Sequence, residues 1–274
     1  MNVGYTEFSY GYAFTENLIR SISTIPIGAP VFPNLLQEGK VGYDVKIKLP
    51  TVPLFFQYKL PELMCRGTAF EIAKGNCPSL TLPFFRISLM RRDVSSQHER
   101  LMELELRYPG CVLYAAAHLA NISEFDVAYN ATAVARKSAF FSPREIGPLP
   151  DNKVHTIAYQ PTLATAYFCS EPTQIEVQNY DGLIKRLDSQ FHQDRFQSTQ
   201  SSARDIREIV LSVASLPMRQ NQAAIEDRIR TTRVQRPGAS RTPQEAQVLT
   251  DILVAREIAR VDLGVDVVVA QPSS

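Results

Sequence analysis

Apolar and polar residues recur along this chain with two different periods, and each change of period marks an element. Residues Glu7–Ile19 follow a helical spacing, with Thr6 placed to cap the helix start. At roughly 100° per residue, Phe8, Tyr12, Phe14, Leu18, Ile19 and Ile22 share one broad apolar face. Glu7 falls at the edge of that arc, and Glu16 lies opposite it beside Asn17 and Arg20. Two strand-like runs follow, Gly42–Ile47 and Leu54–Lys59, joined across Pro50–Pro53. The stretch from Pro61 to Pro83 reads as irregular, and Phe84–Leu89 as a strand. Gln97–Leu106 has helical spacing behind Ser95 or Ser96, and Pro109-Gly110 ends it. Val112–Ala117 is short and continuously apolar, the pattern of a buried strand in a parallel sheet. Ser123–Tyr129 reads as helix and Val154–Tyr159 alternates as a strand.

The character changes near residue 173. Asp181–Phe191, Ser202–Leu216, Gln220–Arg230 and Thr242–Leu263 are helical, the last with Pro243 at its first position. Val265–Ala270 reads as an edge strand. The pattern predicts an α/β domain over 1–172 and a mostly helical region over 173–274, which a chain of 274 residues can hold. An apolar content of 45% supplies a core. A net charge of +1 argues against a general nucleic-acid coat protein but allows basic residues concentrated locally. No long apolar run and no basic-then-apolar leader stand out, so a cytoplasmic protein without membrane contact is expected. Cys65, Cys77, Cys111 and Cys169 have no metal-binding spacing and read as free thiols.

The candidate chemistry lies on the first two strand-like runs. Asp44 stands among apolar neighbours on one. Gln57 and Lys59 stand two residues apart on the other, so they share a side of the strand. Burying an unpaired ammonium costs several kcal/mol, which predicts that Lys59 reaches a solvated cleft. An acid, an amide and a lysine converging on one point suit a divalent cation and a water.

This Asp…Gln-x-Lys pattern resembles the PD-(D/E)xK, or restriction-endonuclease-like, superfamily. It is similar to the variant in which glutamine replaces the second acid and a glutamate on the first helix compensates, as in Mrr-like nucleases. The motif covers residues 5 to 60, and the element order helix–strand–strand–strand–helix–strand extends the likeness to about residue 160. The resemblance implies a mixed sheet flanked by helices, holding 84–89 and 112–117 together with the motif strands. It implies a metal-dependent nuclease of bacterial anti-phage defence, with Mg²⁺ or Mn²⁺ held by Asp44, Glu7 and Gln57 and with Lys59 beside the attacked phosphate. Nucleic acid is the implied partner, together with a second protein subunit or another copy of the chain. The missing strand acid is also what a decayed site would show. The alternative is therefore an inactive nuclease-like scaffold that binds nucleic acid or a protein.

Two further groups are candidates for phosphate contact. Arg91 and Arg92 precede Gln97-His98 at a helix start. Arg228, Arg230, Arg233 and Arg236 cluster with Arg241 around Pro237-Gly238, as a phosphate-contacting arm or as a solvated loop. No aromatics interleave with them, so base stacking is not indicated. His155, alone in its strand, reads as a structural histidine.

Overall fold

The computed structural model describes residues 2–21, 51–75, 77–234 and 242–271. The chain is α/β, with mixed and antiparallel sheets flanked by helices and a mostly helical C-terminal region. It divides into two compact units, one of residues 1–21 and 56–185, the other of 22–55 and 186–274. The division comes later than the change of character near residue 173, because Thr173–Glu176 pairs as the last strand of a five-stranded sheet.

The first unit holds α1 (Glu7–Ser21), the end of β1 (Val52–Tyr58), β2 (Glu62–Met64), α2 (Phe70–Ala73), β3 (Phe84–Leu89) and α3 (Gln97–Arg107). It continues with β4 (Val112–Ala117), α4 (Ile122–Asn130), β5 (Ser138–Phe141), α5 (Pro143–Ile146), β6 (His155–Tyr159), β7 (Thr165–Phe168), β8 (Thr173–Glu176) and the start of α6 (Tyr180–Gln190). One sheet runs β2–β3–β6–β7–β8, antiparallel throughout. The other runs β5–β4–β1 within this unit. β3 and β4 therefore lie in different sheets, contrary to the expectation that they share one. β3 takes β2 and β6 as neighbours while β4 takes β5 and β1, and α3 carries the chain from one sheet to the other. The sheets meet where Tyr159 packs on Phe141, ring centroids 5.2 Å apart, and donates its hydroxyl to the Ala117 carbonyl at 2.6 Å.

Helix α1 covers the other side of the β5–β4–β1 sheet. Thr6 caps it, its Oγ1 accepting from the Ser9 N–H at 3.0 Å. Tyr10 and Phe14 pack edge-on against Tyr58 and Phe56, with centroids 5.6 and 5.0 Å apart. Gly11 permits this approach, since a Cβ there would lie 2.6 Å from the Tyr58 ring. The buried stripe is turned from the expected one: Phe8 and Tyr12 are exposed, while Tyr10, Phe14 and Asn17 are buried. Asn17 goes inward because its Oδ1 satisfies the Val134 N–H at 2.9 Å. Ile22, placed on the expected face, lies outside the described residues.

The second unit holds the start of β1, a 3₁₀ turn (Asp194–Phe196), α7 (Thr199–Val213), α8 (Leu216–Gln220), α9 (Gln222–Ile229), α10 (Pro243–Ile258) and β9 (Asp266–Ala270). α7 and α10 pack together, and α10 opens with a capping box between Thr242 and Glu245. The helical run reaches Leu263 as expected, its last turn, Ala259–Leu263, being a π turn that ends at Gly264 in the left-handed region, φ 65°. β9 borders β1. Behind it, Gln271 Nε2 donates to Thr199 Oγ1 at 2.6 Å and to Thr51 Oγ1 at 3.2 Å, in a buried hydroxyl–amide cluster.

Candidate functional site

The site begins where β1 runs out. Lys59 follows the last strand residue, and its N–H still pairs with Ala115 of β4 at 2.9 Å. Gln57 precedes it by two residues on the same side. Both are buried, Lys59 with 9% and Gln57 with 6% of its surface exposed. Lys59 therefore does not reach a solvated cleft as expected. Pairing with β4 carries the backbone inward past the end of β1, and the side chain follows.

The buried ammonium is held by an aromatic ring. Lys59 Nζ lies 5.8 Å from the centroid of Tyr114, a cation–π contact. Burial pushes its pKa below the usual lysine value, and the Glu7 carboxylate, acting through space, opposes that shift. Among the described residues, no acid pairs with it directly. Gln57 Nε2 donates to the Tyr58 carbonyl at 3.3 Å, and among the described residues its buried Oε1 has no partner. An orphaned buried oxygen is rare enough to require a reason.

Of the other residues expected here, Asp44 lies outside the described residues. Glu7 opens α1 and is exposed. It belongs to the helix packed on the Phe56 and Tyr58 side of the sheet, so it reaches Lys59 electrostatically and not by contact. Glu16 is engaged elsewhere: it pairs with Arg20 and accepts from Asn17 Nδ2 at 2.9 Å. Its side chain is only 17% exposed, less solvated than expected, because α1 turns Asn17 inward beside it.

Two residues complete the cluster that the sequence reading did not place there. His98 of α3 is buried, stacked on Tyr114 with centroids 5.9 Å apart. Its Nδ1 lies 2.8 Å from the Tyr114 hydroxyl, and its Nε2 lies 2.8 Å from the Gly147 carbonyl. A carbonyl only accepts, so Nε2 carries the hydrogen. Nδ1 of the neutral ring then accepts from Tyr114. Burial lowers the His98 pKa, Gly147 and Glu99 oppose that, and His155 and Lys59 reinforce it. The signal for His98 was its phase: it stands three residues before Leu101 and seven before Glu105, both buried. Glu105 itself caps α5, accepting from Ser142 Oγ at 2.7 Å and from the Arg144 N–H at 2.9 Å.

The basic candidates are committed within the chain. Arg91 pairs with Asp93, and Arg92 donates to the Asn152 side chain at 3.2 Å. Gln97 is half-buried at the start of α3, its N–H donating to Ser95 Oγ at 3.1 Å. Arg228 pairs with Glu257 at 2.7 Å and Arg230 with Glu226 at 2.6 Å. Arg236 lies outside the described residues, as does the side chain of Arg233. His155 bonds Ser170 Oγ at 2.6 Å and the Asp151 carbonyl at 3.0 Å, as a satisfied structural histidine does. Among the described residues, no helix is long and apolar enough to cross a membrane.

No model of a known protein family, no curated protein and no solved structure matches the chain.

Proposed function

We propose that the chain is a metal-dependent nuclease whose site lies at the end of β1. One observation carries the reading: among the described residues, a lysine with no acid in contact and an amide oxygen with no partner lie buried on one side of the same strand. Such groups await a ligand of opposite character. Lys59 suits an oxyanion, and Gln57 Oε1 suits a hard cation.

A divalent cation fits this set in part. Gln57 Oε1 is an oxygen donor of the right kind, yet an ammonium alongside it requires carboxylates. By the motif resemblance Asp44 would supply one of them, while Glu7, on the other side of the sheet, contributes negative potential at Lys59 and not a ligand. When bound, Mg²⁺ or Mn²⁺ would polarise the phosphodiester and acidify a water. Lys59 would orient the attacking water and offset negative charge on the phosphate. The setting in anti-phage defence and a second subunit rest on the motif resemblance alone.

A second reading has its own support. Glu7 is exposed and the basic candidates are tied up internally, as in a fold retained for binding a partner without catalysis. The experiment is incubation of the purified chain with plasmid, linear duplex and tRNA, with and without Mg²⁺, beside Lys59→Ala and Asp44→Ala. Mg²⁺-dependent cleavage lost in both variants is the expected result. Absence of cleavage of every substrate, or full activity in Lys59→Ala, overturns the nuclease reading.

A further inference from the structure

We infer that Tyr114 and His98 are positioning residues for Lys59: the Tyr114 ring holds the ammonium in place, and the His98 imidazole holds the ring. This rests on the assignment of Lys59 to the site above.

Four links form one chain of contacts. The Lys59 ammonium lies over the Tyr114 ring at 5.8 Å. The Tyr114 hydroxyl donates to His98 Nδ1 at 2.8 Å. His98 Nε2–H donates to the Gly147 carbonyl at 2.8 Å. Gly147 adopts φ 76° and ψ −177°, a conformation open essentially to glycine, and this sets the direction of its carbonyl. Tyr114 and His98 are each at most 3% exposed, so neither can exchange its partner for bulk water. The arrangement is also polarised one way. Each bond has a single available donor, so the ring has one hydrogen-bonded orientation.

A buried tyrosine needs a partner for its hydroxyl, and many backbone carbonyls could serve. A histidine is a more demanding choice, because it must stay neutral beside a lysine. Glu99 of its own helix and the Gly147 carbonyl favour the charged ring, burial outweighs them, and His155 of β6 and Lys59 act in the same direction as burial. The cost of keeping an imidazole neutral here buys an acceptor whose own position is fixed from behind by Gly147. An ammonium with no acid partner among the described residues takes its direction there from this second-hand support.

The test reads Lys59 itself. Competitive labelling of amines with acetic anhydride across a pH series, followed by mass spectrometry of the Lys59 peptide, measures its titration in the intact chain. Tyr114→Phe keeps the ring and removes the hydroxyl, Tyr114→Leu removes both, and His98→Leu removes the acceptor while leaving Tyr114. The Lys59 titration is expected to fall by about half a pH unit in Tyr114→Leu, the worth of a cation–π contact. A smaller fall is expected in Tyr114→Phe and His98→Leu. His98→Asn, which restores a side-chain acceptor, should recover part of it. Tyr114→Phe changes volume least, so it remains informative should Tyr114→Leu fail to fold. An unchanged titration in Tyr114→Phe and His98→Leu overturns the inference. The predicted order in a chain that cleaves nothing would leave the inference standing and sink the nuclease reading. Cleavage lost in Lys59→Ala, with a Lys59 titration blind to Tyr114, would do the reverse.

Discussion

Two cations in this molecule, one half-buried and one buried, are treated in opposite ways. In the second unit, Arg207 of α7 is flanked by two acids: it pairs with Glu226 and, at 2.7 Å, with Asp251. Glu226 also accepts Arg230, and Asp251 also accepts Gln247 Nε2 at 3.0 Å. Burial weakens the hold on the Arg207 proton, but the two acids more than restore it. In the first unit, Lys59 has a ring face and a distant carboxylate, and burial lowers its pKa unopposed by any contact. One cation is a closed account of charges, which is what structural ion networks look like. The other is open among the described residues, an arrangement that costs stability.

The comparison breaks most easily at Arg207. Arg207→Met should cost about 2 kcal/mol, because it removes the shared partner of Glu226 and Asp251 and leaves them, among the described residues, only Arg230 and Gln247. Urea denaturation measures it, and a change below about 1 kcal/mol would mean the network is not a stability element. Lys59→Met should act in the other direction, raising stability by about 1 kcal/mol as an unpaired buried charge gives way to an apolar side chain. Cleavage should disappear in the same variant while Arg207→Met, where folded, keeps it. A Lys59→Met chain that is much less stable would show that Lys59 is structural.

A pH series sharpens the contrast. Burial depresses His98 in the folded chain, so the unfolded chain takes up the proton first as pH falls. The stability associated with neutral His98 is complete above the ordinary histidine range near 6.5 and is lost as pH falls through and below it. His118 is depressed by burial too, so His98→Gln should remove part of the slope and not all of it. Equal slopes for wild type and His98→Gln between pH 7.5 and 5 would contradict a neutral His98. The smallest effect belongs to the surface. Arg228→Ala, which opens an exposed pair with Glu257, should change stability by about 0.5 kcal/mol at most. It should also leave the salt dependence of nucleic-acid binding unaltered, whereas a loss of about one unit of slope would restore it as a phosphate contact.

What could be read from the sequence was local. The helix start at Thr242-Pro243, the buried strand Val112–Ala117 and the helix behind Ser95 and Ser96 each follow from residues within a few positions of one another. What escaped was set by distant partners. Nothing near Phe84 or Val112 tells which sheet each will join, since β3 meets β6 some seventy residues on. Asn17 looked like a surface residue until Val134 needed its oxygen. Gln57 and Lys59 were placed on one side of one strand by period alone, but their burial was not visible there. It depends on Ala115 and Tyr114, two residues of a strand half a hundred positions later.

The buried cluster of Thr51, Thr199 and Gln271 carries a consequence for the order in which the protein is made. Thr51 leaves the ribosome well before Gln271, which donates to it from 220 residues further along. At about 5–20 residues per second, the start of β1 waits on the order of ten seconds or more for that amide and for β9 just before it. Through that interval Val52–Phe55 is an apolar edge without its neighbour, the kind of segment that chaperones hold and that aggregation recruits. Truncating the chain before Asp266 would therefore strike β1, a strand some two hundred residues earlier, by removing both β9 and the amide behind it.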